Sequence, residues 1–322
     1  MLPPPHELLR LLTERPSFVL ATHRGPDGDA LGSSLALCLA LRAQGKEAQV
    51  VVPTAVGEHY QWLPGSEALT QELSAPPAVA IMIDCDSPGR LDHLESLITA
   101  APVLIQIDHH TGPPGGHVQY VDQQASAASC LIWRLLRALE WPITPEIATC
   151  LYVGIATDTG FFRFENTNPE AFSICAELVA FGAEPSRIAG LVHDRRPLRR
   201  LQLAGRALAS LQSAGDGRIV WGVLEPEDYA ATGCGAADTE TIVDLLKQAE
   251  DQEICVLFKR PRPGDPWQVS LRSRTVDVAA AARRYDGGGH ARAAGFDFAG
   301  PLEQLRASLL PLLTGQLDGS EA

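Results

Sequence analysis

Two unbroken apolar runs constrain this 322-residue chain more than any other feature: "AVAIMIDCD", which carries Asp84, and "PVLIQIDHH", which ends in Asp108, His109 and His110. A strand that is apolar at every position, rather than at alternate ones, is buried on both faces. That is the condition of a parallel strand with helices above and below it. Strands are predicted at residues 18–22, 48–52, 79–84, 103–108 and 118–121, and helices at 30–44, 126–139, 145–156 and 169–181. In sheets of this kind ligands gather beyond the carboxyl ends of the strands, and His23, Asp84 and Asp108 all fall at such ends.

The rest of the chain is long enough, and at 45% apolar residues oily enough, for a second core. A Leu-, Ala- and Arg-rich helix over 198–211 is expected to connect the two parts. Beyond it, strands are expected at 219–224, 253–258 and 267–271, the last two forming a hairpin around "KRPRPGDP", with helices at 237–250, 276–284 and 302–313. The fold class is therefore α/β: a mainly parallel-sheet domain over 1–185, a helical linker over 186–214 and a smaller α/β domain over 215–322. "LPPPH" and "TGQLDGSEA" read as frayed ends.

No apolar stretch is long enough to span a bilayer, and the proline-rich N-terminus is unlike a signal peptide, so a cytoplasmic protein without membrane contact is expected. The seven cysteines form no Cys-x-x-Cys pair and lie mostly in apolar surroundings, which favours buried reduced thiols. A formal charge of −13 argues against a duplex-coating protein. The charge is uneven: residues 1–185 hold 9 Lys and Arg against 21 Asp and Glu, and residues 186–322 hold 17 against 18. An acidic part in need of cations and a part with clustered arginines suit a small anionic substrate. The cluster Arg195, Arg196, Arg199, Arg200, Arg206 reads by itself as a solvated helix face.

The candidate chemistry lies in five short motifs: His23-x-x-x-Asp27-x-Asp29, Asp84, Asp108-His109-His110, Asp158 and Gly287-Gly288-Gly289-His290. Taken singly each has an ordinary explanation. Asp-Gly-Asp is usually a turn with the side chain bonded to the backbone, and a glycine run is usually a loop. Together, and in this order, they place carboxylates and imidazoles at successive element ends. Carboxylates suit Mg²⁺ or Mn²⁺, and added imidazole shifts the preference toward Mn²⁺. Two cations roughly 3.5–4 Å apart clamp a phosphoryl group for in-line attack, which requires a shared carboxylate. Asp84 is the candidate for that bridge.

The segments "HRGPDGDALGS", "IDCD", "IDHH", "GIATDTGFFRFENT" and "RSRTVDVAAAARRYDGGGHARAAGF" resemble the successive motifs of the DHH phosphoesterases with a DHHA1 C-terminal domain, nearest to the bacterial nanoRNase/pAp phosphatase group. The resemblance covers nearly the whole chain. It implies hydrolysis of short oligonucleotides (nanoRNA, dinucleotides) to mononucleotides, and of 3′-phosphoadenosine 5′-phosphate (pAp) to AMP. It implies two Mn²⁺, with Mg²⁺ as the alternative: His23, Asp27 and Asp84 on one ion, and Asp29, Asp84, His109 and Asp158 on the other. His110 would lie beside the phosphate as a catalytic group that stabilises charge or donates a proton. Arg272, Ser273, Gly288, Gly289 and His290 match positions that grip the far phosphate or terminal nucleotide. The partners implied are short single-stranded RNA or DNA oligonucleotides and pAp, and a homodimer is left open. Gly25 and Asp286 depart from the pattern, where relatives often carry a polar residue and a fourth glycine.

Three other readings stand beside this one. A cyclic-dinucleotide (c-di-AMP) phosphodiesterase shares the architecture. A family II inorganic pyrophosphatase shares the N-terminal motifs but not the glycine-rich His290 motif. A non-catalytic nucleotide- or RNA-binding module would not need every ligand position filled, as they are here.

Overall fold

Six parallel strands form the first sheet: β1 (Ser17–Ala21), β2 (Glu47–Val51), β3 (Leu69–Thr70), β4 (Val79–Ile83), β5 (Val103–Asp108) and β6 (Val118–Val121). Their order is β3-β2-β1-β4-β5-β6, so the winding reverses between β1 and β4. The computed structural model describes residues 2–112, 115–194, 197–239 and 242–319. They fall into two compact units, Met1–Arg195 and Arg196–Ala322. Arg195 and Arg196 of the arginine cluster lie outside the described residues.

Helices α1 (His6–Glu14), α2 (Gly28–Ala43), α3 (Glu95–Thr99), α4 (Ala128–Ala138), α5 (Pro145–Asp158), α6 (Pro169–Ala180) and α7 (Pro185–Ala189) complete the first unit. Several are started by the chemistry of their first residues. Asp27 caps α2 by accepting from the Asp29 and Ala30 amides, and Thr144 and Asn168 cap α5 and α6, each followed by a proline that has no amide hydrogen to lose. Helix α2 packs antiparallel on α5 at a distance only glycine permits, since a Cβ on Gly32 would lie 2.4 Å from the Cys150 carbonyl oxygen. The start of α2 thereby meets the end of α5. The N-terminus is not frayed as expected: Leu8, Leu11 and Leu12 of α1 are buried, and the Tyr120 hydroxyl donates to the Leu2 carbonyl at 3.0 Å.

The second unit carries β7 (Gln212–Ala214), β8 (Ile219–Leu224), β9 (Ile254–Lys259), β10 (Trp267–Ser273), β11 (Gly288–His290) and β12 (Ala293–Phe298), ordered β11-β12-β10-β9-β8-β7. Among the described residues only β8 and β9 run parallel; the other neighbours are antiparallel. Helices α8 (Leu198–Ala209), α9 (Pro226–Thr232) and α10 (Ile242–Leu246) pack on one side of the sheet, and α11 (Val278–Arg283) and α12 (Leu302–Leu317) on the other. Of the helix expected over 237–250, the described residues show a single turn at Ala236–Thr239 and the short α10, which has ended before Lys247; residues 240 and 241 lie outside the described residues. The carbonyls that would continue α10 are taken by side chains: Lys247 O accepts from Gln252 Nε2 and Arg274, and Ala249 O from Arg274. Strands β11 and β12 were not expected, because "GGH" and "AAGFDF" have little strand propensity of their own; pairing of β12 to β10, and of β11 to β12, imposes the conformation.

Candidate active site

Strand register brings the first residues together. Ala21 pairs with Met82 and Ile83 with Ile107, so extending the ladders past the strand ends sets His23 against Asp84 and Asp84 against Asp108. The three therefore cross the carboxyl edge at the reversal point between β1 and β4, where α/β sheets bind ligands. Asp84 sits at φ +52°, in the left-handed region that costs a non-glycine residue about 1 kcal/mol or more, and its amide donates to the Ile107 carbonyl at 3.0 Å.

The antiparallel helices bring the rest. Asp27 and Asp29 open α2 and Asp158 closes α5. Ligand atoms of His23, Asp27 and Asp84 lie within 4.8 Å of one another, and so do those of Asp29, His109 and Asp158. A third such group is Asp84, Asp108, His109 and His110. Asp27 is the exposed member, and the turn reading of Asp-Gly-Asp holds as well: one carboxylate oxygen caps α2 while the other is left for a ligand.

Both buried imidazoles present the right nitrogen. His23 Nδ1 donates to the Arg24 carbonyl at 2.9 Å, so Nε2 faces Asp84 Oδ2 at 3.6 Å. His109 Nδ1 points at the Ala125 carbonyl at 3.3 Å, and its Nε2 lies 3.5 Å from Asp84, 3.7 Å from Asp158 and 3.9 Å from Asp29. A backbone carbonyl behind each ring is the arrangement that orients histidine ligands.

The charges are unbalanced without a cation. Burial raises the Asp29 carboxyl, and Asp84 and Asp158 raise it further. Asp158 is pushed up to about 6 by burial, with His109 opposing and Asp84 and Asp27 reinforcing. Burial opposes the charge on Asp84 too, but the His109 and His23 imidazoles outweigh it and hold that carboxyl below the usual range. Burial pulls His109 down, yet Asp84, Asp29 and Asp158 drive it up to about 10. Asp84 Oδ1, Asp108 Oδ2 and His109 Nε2 are buried with no hydrogen-bond partner, a costly state that a bound cation relieves. The carboxylate and imidazole donors fit a divalent metal.

Three groups have supporting roles that the sequence reading does not assign. Asp29 is gripped from the start of α4: the Ala128 amide donates to it at 2.6 Å, and the Ser129 amide and hydroxyl at 3.0 and 2.6 Å. Asn166 Nδ2 donates to the Asp158 carboxylate and carbonyl, both at 3.1 Å. Asp108 Oδ1 accepts from both amides of the His-His pair and from His110 Nδ1 at 2.9 Å, which fixes that ring. Asp108 and Asn166 lie inside the recognised segments "IDHH" and "GIATDTGFFRFENT", whereas Ser129 lies in none and gains meaning only from a neighbour remote in sequence.

In the second unit Arg272 and His290 are both in register with Ala293, from strands on either side of it, so they stand in one row on one sheet face. Arg272 Nε is 3.4 Å from Asp244, and the buried Ser273 hydroxyl accepts the Val276 amide. Gly288 and Gly289 are exposed, and Asp286 sits at φ +59°, a left-handed position that favours glycine and that Asp tolerates. Gly25, at φ +62°, occupies the same region. The arginines are less spare than expected: Arg199 and Arg200 pair with Asp238, Arg206 with Asp228, Arg260 with Glu225, and Arg283 with Asp277.

The DHH family, N-terminal domain, matches residues 17–155, and the DHHA1 domain matches residues 228–312. The chain is 35% identical over 289 residues to the bifunctional oligoribonuclease and PAP phosphatase NrnA of Thermus thermophilus, spanning 88% of this chain and 84% of that protein. An exopolyphosphatase-related protein from Bacteroides fragilis matches the structure with a TM-score of 0.87 at 26% identity, over 97% of this chain and 96% of that one. Exonuclease RecJ bound to manganese shares the fold, with a TM-score of 0.55 at 17% identity over 98% and 96% of the two chains. The chain belongs to the DHH phosphoesterase family, with a DHHA1 domain, and is a hydrolase. Among the described residues no helix is long and apolar enough to cross a membrane.

Proposed function

We propose that the chain hydrolyses short oligonucleotides, dinucleotides included, to mononucleotides, and pAp to AMP, using two Mn²⁺ with Mg²⁺ as the alternative. The observation that carries this is the position of Asp84, whose two oxygens face His23 on one side and His109 on the other. His23, Asp27 and Asp84 would hold one cation, and Asp29, Asp84, His109 and Asp158 the second. Bound there, divalent cations supply Lewis acidity to the phosphoryl group and acidify the attacking water.

The side chains do the rest. Asp84 is the shared carboxylate, held in place by its strained backbone. His110, with Nδ1 committed to Asp108 and its ring half exposed, offers Nε2 to a phosphate oxygen as a hydrogen-bond or proton donor. The hydrogen bond to Asp108 raises the His110 pKa against the opposing effects of burial and His109. Arg272, Ser273, Gly288, Gly289 and His290 are proposed to bind the far phosphate or terminal nucleotide of the same substrates. The relative from Thermus thermophilus bears both activities in its name, which supports extending them to this chain. The seven free cysteines suit the reducing cytoplasm, where we place the activity.

The test is to incubate the Mn²⁺-loaded protein with pAp, pGpG, cyclic dinucleotides, pyrophosphate and labelled RNAs of graded length. Mononucleotides from the shortest RNAs and AMP from pAp are expected. Preferred cleavage of cyclic dinucleotides or of pyrophosphate would replace this reading with the corresponding alternative.

A further inference from the structure

Just beyond Asp158 the chain makes a turn that the proposed chemistry does not use. Gly160, Phe161 and Phe162 have φ of +56°, +56° and +65°. Two successive aromatic residues in the left-handed region persist only where the surroundings enforce them, and such outliers cluster at functional sites. The enforcement is visible: the Phe162 amide donates to Thr159 Oγ1 at 3.2 Å, and the Arg163 and Phe164 amides both donate to the Thr159 carbonyl. Asn166 then ties the end of the turn back to the Asp158 carboxylate.

The turn sorts its side chains. Phe162 turns inward, edge-on to Tyr152 and stacked on Phe172 at 5.1 Å. Phe164 is instead 54% exposed. Its ring lies where a Gly160 side chain would be, since a Cβ there would come within 2.5–2.6 Å of three ring carbons. Arg163, also exposed, is braced by Nε donating to the Gly160 carbonyl at 2.6 Å. A single exposed phenylalanine is ordinary. One held on a glycine by a strained turn, beside a cation and fastened to a candidate metal-facing carboxylate, is not.

We propose that the open face of Phe164 is a stacking platform for a nucleobase of the oligonucleotide cleaved at Asp158, with Arg163 alongside for a neighbouring phosphate. The inference rests on the oligonucleotide reading above and adds the residue that receives the base. Every base offers a π-face, so the platform gives affinity without base preference.

The experiment uses the Mn²⁺-loaded full chain with Phe164→Ala, Phe164→Leu and Phe164→Trp, on a dinucleotide and on versions abasic at either position. Loss of a stacking side chain typically weakens binding by roughly five- to a hundredfold. Phe164→Ala is expected to raise the dinucleotide KM about tenfold, with kcat changed less than about twofold and bound Mn²⁺ unchanged. Trp is expected to restore the KM and Leu to fail. On one of the abasic substrates the wild type and Phe164→Ala become equal. Three results overturn the platform alone: an unchanged KM in Phe164→Ala, full rescue by Leu, or a penalty that persists on both abasic substrates. If the wild type leaves the intact dinucleotide uncut, the oligonucleotide reading falls first and the platform with it.

Discussion

His109 Nε2 and Asp84 Oδ1 stand 3.5 Å apart, both buried and neither hydrogen-bonded. The separation is too long for a charge-assisted hydrogen bond. It suits two donors to one cation, each about 2.1 Å from it. Because the second oxygen of Asp84 faces His23 in the same way, the carboxylate is the hinge of the whole cluster.

Asp84→Asn is therefore expected to lower bound Mn²⁺ and reduce turnover by more than the roughly 10–100-fold typical of groups that merely support a ligand. Circular dichroism should show the fold retained. Undiminished turnover after EDTA treatment would falsify the metal-dependent reading.

His110→Ala is expected to act on turnover rather than on metal content. A group that donates to charge developing at the phosphate is worth about 10²–10³ in rate. Metal analysis beside the kinetics decides: an equal loss of bound Mn²⁺ makes His110 a ligand instead.

Arg272→Ala is expected to raise the KM for dinucleotides and pAp about tenfold or more, the scale of one lost charge-assisted contact to phosphate. Arg272→Lys should recover little, because an ammonium cannot reproduce the guanidinium fork. A KM equal to that of the wild type in Arg272→Ala removes this residue from the substrate grip.

Gly287 and Gly288 should differ sharply in stability. A Cβ on Gly287 would lie 2.3 Å from the Gly295 carbonyl oxygen and 2.4 Å from Phe296 Cβ, whereas one on Gly288 meets nothing within 4 Å. Gly287→Ala is expected to cost about 1–3 kcal/mol through forced strand separation, and Gly288→Ala to leave the melting temperature nearly unchanged. Equal melting temperatures for the two variants would contradict the close approach of β12.

Buried Arg134 bridges Asp122 at 2.6 Å and Glu170 at 2.5 Å. Burial opposes the charge on Asp122, but the Arg134 guanidinium overrides it and holds the carboxyl below its ordinary value. The unfolded chain then takes up the proton first as pH falls. This contribution to stability is complete above the ordinary aspartate pKa of about 3.9 and is lost as pH drops through the lower folded value. Arg134→Leu leaves two carboxylates unpaired and is expected to cost about 3 kcal/mol at pH 7, a loss that shrinks in acid. Urea melts of both proteins across that pH range check the sign.

Much of the first sheet was legible because parallel strands buried on both faces announce themselves by composition alone. The expected strands 103–108 and 118–121 match to the residue and those at 18–22, 48–52 and 79–84 to within one, while the two-residue β3 is not among the expected strands. The second unit was less legible where its elements owe their form to partners. Ala293–Phe298 is a strand because β10 pairs with it, and α10 stops just before Lys247, whose carbonyl accepts from Arg274 and Gln252. The N-terminus looked frayed because nothing local shows that Tyr120, 118 residues away, would anchor Leu2.

The sequence by itself determined the α/β class, the residue types of the cluster and their order along the chain, since these follow from hydrophobic pattern and side-chain chemistry. Only the tertiary structure decided which residues meet. Strand register set His23 beside Asp84, and the close crossing of α2 and α5 set Asp158 beside Asp29. The start of α4 set Ser129 on Asp29, and the turn after α5 left Phe164 open while Phe162 turned in. These are long-range packing choices made through backbone hydrogen bonds and excluded volume, and a motif read along one chain carries no record of them.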